Sequence, residues 1–337
     1  MADMRNGLTV CVMILVLPLI SPAICESNST TACVKGIPDA FSMMNIEKGV
    51  AHALLVEKMT QTLFVYAFEE HACRELYRFE CSTGEVSGEK KHSGDRKTPE
   101  GVYFFTGKFS RKYLTPIYGS RAYPLDYPNA LDRFAGRSGY SIWMHGTDSG
   151  LKPNSSNGCI VLQNKDIQKL DAVITPKLTP IIIVPKIKYV SPGAGETVNA
   201  SIADFLYGWC RTIETGDCSA YQSFYQAGYN PPVSWWRKWE QVRRFLSGEN
   251  PFEIRCERLS IFHCRGVYVA IFDLILGGHD SRLRIGRKKI FLSPDSTGYK
   301  IVGDQYLEIA EGLSPSGIEE PLTAAGRRFG ERMSRRR

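Results

Sequence analysis

The sequence predicts an α+β protein built in two successive parts: a mostly β first half, then a second half in which helices precede a strand meander. Three observations carry this. Short apolar or alternating runs bounded by turn residues recur between His52 and Val184, which is the pattern of strands. From Ile202 to Leu246 the apolar residues recur at helical spacing instead. From Glu253 to Leu307 alternation returns in four runs split by turns such as Gly277-Gly-His-Asp and Ser293-Pro-Asp-Ser. Helices grouped before strands, rather than alternating with them, mark α+β and not a parallel α/β sheet.

Taken from the N-terminus, Arg5 precedes an apolar run from Leu8 to Ile24 that Pro18 and Pro22 interrupt. The run is near the short limit for a bilayer span, and its prolines suit a processed segment better than a stable helix. Ala23-Ile24-Cys25 resembles a small-x-small cleavage site. Residues 1–25 therefore read as a secretory signal and the mature chain as exported. The competing reading, a lipid anchor at Cys25, is disfavoured by bulky Ile24. Eight of ten cysteines survive loss of the signal: Cys33, Cys73, Cys81, Cys159, Cys210, Cys218, Cys256 and Cys264. An exported compartment permits disulfides, and Cys73–Cys81 and Cys210–Cys218 are conceivable bridges. Buried reduced thiols are the alternative for each. CxxC spacing and zinc-type clustering are absent, so neither metal nor organic cofactor is expected.

His52 to Phe68 is two apolar runs around a polar turn, a β-hairpin. Leu76 to Cys81 continues the sheet, and Val102 to Thr106 is the next strand. Lys112 to Arg137 is a long irregular segment dense in Tyr, Pro, Asp and Arg. Such a segment is a binding loop or lid, or else a packed Ω-loop. Asn164 looks like an N-cap for an amphipathic helix over Lys165–Ile174, and Thr179 to Pro185 closes the β-rich half. Ser191-Pro-Gly-Ala-Gly-Glu is a linker by composition, placing a boundary near residues 190–198. Ile202 to Gln226 reads as two helices broken at Thr215-Gly-Asp, and Ser234 onward as a third ending at Gly248. Trp209, Trp235, Trp236 and Trp239 in these helices are either core or the lining of a pocket. Residues 311–337 read as a disordered basic tail. From Arg327 to Arg337 it holds six Arg against one Glu, which is most of the formal net charge of +7. The body is thus near neutral, against an extended nucleic-acid surface, while the tail is a solvated end or touches an anionic envelope surface.

The stretch with chemistry runs from Ile142 to Asn164. Two apolar segments, one ending in His145-Gly146 and one beginning at Cys159, flank a loop rich in Gly, Ser, Asn and Pro. A cysteine nucleophile needs a base within reach and backbone N–H groups beside the sulfur. Here His145 is the candidate base, and an imidazolium beside the thiol would lower its pKa. The Gly146 carbonyl is the candidate for orienting the imidazole. Gly158 lets the backbone approach a substrate oxygen, so the Gly158 and Cys159 amides are candidate oxyanion donors.

His145-Gly146 followed by Ser156-Asn157-Gly158-Cys159-Ile160 resembles the signature of the L,D-transpeptidase catalytic domain, the YkuD-type fold. Leu54 to Tyr66 resembles that family's opening hairpin, and Gly94-Asp-Arg-Lys-Thr-Pro-Glu-Gly-Val-Tyr its following turn and strand. The resemblance covers residues 50–188. It implies a mostly β enzyme domain acting on peptidoglycan stem peptides in the periplasm, with Cys159 as nucleophile and His145 as base and acid. Residues 199–310 resemble a nuclear-transport-factor-like α+β cone, and the combination is similar to the cell-shape L,D-carboxypeptidases. Two positions depart from the pattern: Asn157 stands where His is usual, and Val161 where an Arg is usual. That Arg is assigned to a substrate carboxylate, so Ser156, Asn157, Arg121, Arg133 and Arg137 become the candidate substrate contacts. The implied reaction is transfer of a thioacyl group, formed at an L-centre, to an acceptor amine. The alternatives are hydrolysis with release of terminal D-alanine, or a wall-binding protein without turnover.

Overall fold

The structure is a computed structural model that describes residues 36–43, 51–69, 72–229, 231, 233–249, 252–278, 281–296, 298–313 and 320–334. The expected signal, with Cys11, Cys25 and nearby Cys33, lies outside the described residues. In chain order the elements are β1 (Ile37–Pro38), β2 (His52–Glu57), β3 (Thr62–Glu69), β4 (Ala72–Glu80), β5 (Gly101–Phe104), β6 (Phe109–Ser110), β7 (Arg121–Pro124), α1 (Ala130–Phe134), β8 (Trp143–Thr147), β9 (Ile160–Gln163), α2 (Asn164–Lys169), β10 (Pro180–Val184) and β11 (Tyr189–Val190). There follow α3 (Glu196–Thr215), α4 (Cys218–Ser223), α5 (Trp236–Glu249), β12 (Phe252–Cys264), β13 (Val267–Gly278), β14 (Ser281–Asp295), β15 (Gly298–Ile309) and α6 (Pro321–Ser334).

A five-stranded sheet, in the order β4-β3-β2-β10-β5, lies at the centre. The inner strands β2, β3 and β10 read as largely apolar runs because both of their faces are covered, whereas the edge strand β4 carries exposed Arg74, Arg78 and Glu80. Successive side chains point to opposite faces, and the two sets enter different cores. Leu54, Val56, Leu63, Val65, Ile181 and Ile183 meet Tyr123, Met144, Ile160 and Leu162 of the sheet β6-β7-β8-β9. Ala53, Leu55, Phe64, Tyr66, Phe68 and Ile182 meet Phe262, Val269, Ile271, Phe291 and Val302 of the antiparallel meander β12-β13-β14-β15. The far face of the meander packs on α3, α5 and α6 through Trp209, Trp239, Phe272, Ile290 and Phe329. Register shifts between Glu257 and Ser260, and between Leu274 and Ile275, are bulges of the kind that bend a sheet.

Several expectations are corrected. Residues 321–334 of the expected disordered tail form α6, because Leu322, Ala325 and Phe329 make an apolar stripe, each at most 2% exposed. The abundance of Arg hid this stripe: Arg327, Arg328 and Arg332 occupy the exposed side. All four tryptophans of the helices are core residues. Cys81, Cys159, Cys210, Cys218, Cys256 and Cys264 carry free thiols; Cys210 faces Cys256, Sγ to Sγ 3.4 Å, and not Cys218. Cys81 is buried in the first core while Cys73 packs against the second, so they do not meet. The segment 112–137 is more regular than expected: it contains β7 and α1, the latter started by an Asn129 capping box. Asn164 is the first helical residue rather than the cap; its Oδ1 accepts from the Ser120 amide at 2.8 Å.

The compositional boundary at 190–198 overlaps the end of β11 and the first turn of α3, which begins at Glu196, and the two halves are joined by buried polar contacts. Lys289 of the meander is fully buried; its Nζ donates to Val102 O at 2.8 Å and to Asp126 Oδ2 at 2.9 Å. Gln305 donates to the same Asp126 oxygen at 3.1 Å and accepts from the Ala130 amide at 2.7 Å. Removing one partner of a buried ion pair leaves the other charge uncompensated. Lys289→Ala should therefore lower stability by about 3–5 kcal/mol in urea unfolding. A loss below about 1 kcal/mol, the scale of an exposed pair, would contradict this packing.

Candidate active site

His145 lies in the middle of β8, paired to Ala122 of β7 on one side and to Val161 of β9 on the other. Strand alternation sorts the side chains. Met144, Ile160 and Leu162 point into the core, so His145, Cys159 and Val161 belong to the opposite face. The parallel register sets Ile160 opposite Met144, which brings Cys159, just before the strand, level with the start of β8. His145, Cys159 and Val161 all line one cavity of about 440 Å³, whose walls include Ile117, Tyr118, Tyr140, Lys90, Lys152, Ser156 and Asn157.

The loop before Cys159 is clamped by the segment after β4. The Ser156 amide donates to Thr83 O at 3.1 Å, and the Glu85 amide to Ser156 O at 3.0 Å. The Ser155 amide donates to Ser82 Oγ at 3.1 Å, and the Asn154 amide to Gln61 Oε1 at 3.0 Å. Thr98 Oγ1 accepts from the Gly84 amide at 2.8 Å and donates to Gly158 O at 3.0 Å. Gly158 has φ +119°, and a Cβ there would sit 2.7 Å from Lys97 O, so glycine alone fits. Ser156 Oγ accepts from the Gly158 amide at 3.1 Å and donates to Cys159 O at 2.6 Å. Ser156 is thus occupied in shaping the turn rather than free to take substrate. Of the two expected oxyanion donors, the Gly158 amide already has a partner at rest.

His145 Nδ1 lies 2.8 Å from Gly146 O. A carbonyl only accepts, so Nδ1 carries the proton and Nε2 holds the free lone pair. Tyr118 meets the imidazole edge-on at 5.0 Å and stacks on Trp143, which in turn stacks on Phe109. Gly146 is needed in turn because a Cβ there would strike Asn164 Oδ1. Burial lowers the His145 pKa, with the Gly146 carbonyl opposing it. Burial raises the Cys159 pKa, with the Trp143 backbone N–H and the charge of Lys90 opposing it. Burial thus disfavours the charged form of each group, which works against the thiol beside an imidazolium that the sequence suggested.

None of the three arginines offered as substrate contacts lines the cavity. Arg121 is bonded to Asp171 Oδ2 at 2.9 Å, Arg133 to Pro128 O at 2.6 Å, and Arg137 lies between Asp132 and Glu89 at 2.9 and 2.5 Å. Of the residues read as substrate contacts, Asn157 is exposed at the cavity wall. The cations in the lining are Lys90 and Lys152. Sequence reasoning passed over Lys90 because it sits in an undifferentiated polar stretch, Gly88-Glu-Lys-Lys-His-Ser-Gly. Nothing in that spacing marks its burial.

The chain resembles known proteins in sequence and in fold. Residues 51–183 match the family model of YkuD, the L,D-transpeptidase catalytic domain. Over 156 residues the chain is 28% identical to the putative L,D-transpeptidase YafK of Escherichia coli K12, covering 45% of this chain and 56% of YafK. The chain thus spans little more than half the length of that curated relative. Bd1075 of Bdellovibrio bacteriovorus shares the fold, with TM-score 0.65 at 24% identity over 82% of this chain and 99% of that one. The helical cell shape determining protein Pgp2 of Campylobacter jejuni aligns with TM-score 0.59 at 26% identity, over 80% of this chain and 93% of its own. These two likenesses extend beyond residue 183 into the helices and meander.

Two outcomes follow from the site. Gly158→Ala forces a side chain into a positive-φ position against Lys97 O and should cost about 1–3 kcal/mol in thermal unfolding; an unchanged melting curve would contradict the clamp. Because burial raises the thiol and lowers the imidazole, iodoacetamide labelling of Cys159 should climb with pH through the thiol's ordinary 9.0. A rate plateau between about pH 5 and 8 would instead reveal a thiolate–imidazolium pair.

Proposed function

With residues 51–183 of the chain forming a YkuD-type domain, we propose that the protein is an exported cysteine enzyme acting on peptidoglycan stem peptides in the periplasm. The observation that carries this reading is the convergence of His145 and Cys159, from adjacent parallel strands, on one cavity. Cys159 Sγ attacks the carbonyl at the L-centre of the diamino acid in a donor stem. Since burial disfavours the charged form of both groups, His145 Nε2 takes the thiol proton as the S–C bond forms, which is general-base catalysis rather than attack by a preformed thiolate. The Gly146 carbonyl keeps Nδ1 protonated and the lone pair on Nε2. Main-chain N–H groups beside the sulfur receive the oxyanion, each such donor contributing about 3–4 kcal/mol in comparable sites. The Cys159 amide serves directly, and the Gly158 amide does so by exchanging Ser156 Oγ for the substrate oxygen. His145 then protonates the departing D-amino acid, leaving a thioester on Cys159.

Attack by an amine from a second stem completes an L,D-transpeptidase. A second reading, hydrolysis with release of D-alanine, is favoured by one observation: the likeness to the cell shape determining protein Pgp2 runs through both halves of the chain. Incubation with tetrapeptide muropeptides distinguishes the two. Crosslinked dimers are the expected product of transfer, and tripeptide with free D-alanine that of hydrolysis. Either activity should fall by at least about 10³-fold in Cys159→Ala, as loss of a nucleophile does. Unchanged muropeptides with the wild-type chain would overturn the enzymatic reading.

A further inference from the structure

The cavity beside Cys159 contains a buried cation that the chemistry above leaves unused. The Lys90 side chain is 3% exposed, and its Nζ donates to Asp95 Oδ1 at 2.6 Å and to His92 O at 3.1 Å. An ammonium carries three N–H donors, and among the described residues these two acceptors are the ones hydrogen-bonded to it. Asp95 is itself saturated by the backbone. Its Oδ2 accepts from the Lys91 and His92 amides at 2.7 and 3.1 Å, and its Oδ1 from the Lys97 amide at 3.1 Å. Those bonds, with the Lys90 contact, outweigh burial and hold the Asp95 carboxyl well below the usual carboxylate range. Asp95 therefore acts as a fixed bracket, and Lys90 as a cation held in place rather than one free to swing away. Gly139 leaves room for the lysine stem, since a Cβ there would lie 3.1 Å from Lys90 Cε. The other lining cation, Lys152, is exposed at the rim, where solvent and salt screen it. Val161, opposite His145, brings no charge to the face on which the thiol lies.

We propose that Lys90 binds a carboxylate of the bound substrate beside Cys159, its third N–H donating to a carboxylate oxygen. The identity of that carboxylate, the C-terminal one of a stem peptide, rests on the stem-peptide reading. The existence of an anion site next to the sulfur does not. A buried carboxylate requires a paired, hydrogen-bonding cation, and a lysine bracketed by Asp95 meets that need without an arginine after the cysteine.

Alkylation tests the site without any assumption about substrate. Iodoacetate and iodoacetamide both form an S–C bond with release of iodide, and differ in the carboxylate carried next to the reacting carbon. Rates at Cys159 are read from the labelled peptide by mass spectrometry and divided by those of free cysteine at the same pH. The native protein should favour iodoacetate by about tenfold over the free-cysteine ratio, the scale of one charge-assisted hydrogen bond. Lys90→Met should abolish the preference, while Lys90→Arg and Lys152→Met should keep it. A native ratio at or below that of free cysteine overturns the proposal, whether or not Lys90→Met folds, and so does a preference that Lys90→Met leaves intact. In turnover, Lys90→Met should raise KM about tenfold on a stem ending in a free carboxylate and leave a terminal carboxamide unaffected. Equal losses on both would overturn the assignment. A wild-type chain inert to both stems would sink the stem-peptide reading, and the alkylation ratio would still decide the role of Lys90.

Discussion

Burial of the central sheet on both faces is the constraint on which the rest of the molecule depends. Ala53, Leu54, Leu55 and Val56 in β2 are all 0% exposed, which a sheet with one wet face does not allow. One set of alternating side chains needs β8 and β9 as a cover; the other needs the meander. Phe64, Tyr66 and Phe68 would lie in water without β12–β15, at about 1.5–3 kcal/mol for each large apolar side chain so exposed. The second half is thus part of the scaffold that holds the reactive half. Lys289, Asp126 and Gln305 lock the register of the two across that interface.

The same layering explains why the reactive groups stand where they do. Met144 and Ile160 are pinned in the first core, so their neighbours His145 and Cys159 must turn the other way, onto an open face. Alternation decides the face; the clamp decides the aim. The side chains of Gln61, Ser82 and Thr98 and the backbone of Thr83 and Glu85 hold the chain ahead of Cys159 by hydrogen bonds to its main chain. Ser156 ties the turn from within. The sulfur and the Cys159 amide are placed before any ligand arrives, while the Gly158 amide rests on Ser156 Oγ. Burial of the imidazole and the thiol disfavours the charged form of both.

Much of this was legible in the sequence. The hairpin over His52–Phe68, the helices after Ile202 and the four strands after Glu253 follow from local periodicity, and they fold where that periodicity placed them. His145 and Cys159 stood out because the residues around them, Gly146 and Ser156-Asn-Gly, are demanding turn and close-contact positions. Features set by long-range packing were not legible. The stripe Leu322, Ala325, Phe329 was obscured by arginines and has meaning only against α5 and the meander. Cys210 meets Cys256 across a helix–strand contact that spacing does not encode. Lys90 looks like any surface lysine until Asp95 and Gly139 enclose it, whereas Arg121, Arg133 and Arg137 are consumed by carboxylates and carbonyls elsewhere.

The central claim is that Cys159 forms a thioester with a donor stem, assisted by His145. Acid-quenching the wild-type chain during incubation with a tetrapeptide stem, followed by peptide mass spectrometry, reads that bond directly. The account predicts an adduct equal to the donor stem lacking its terminal D-alanine, located on the peptide that contains Cys159 and absent from Cys159→Ala. Products formed without such an adduct, or an adduct on another residue, would contradict it.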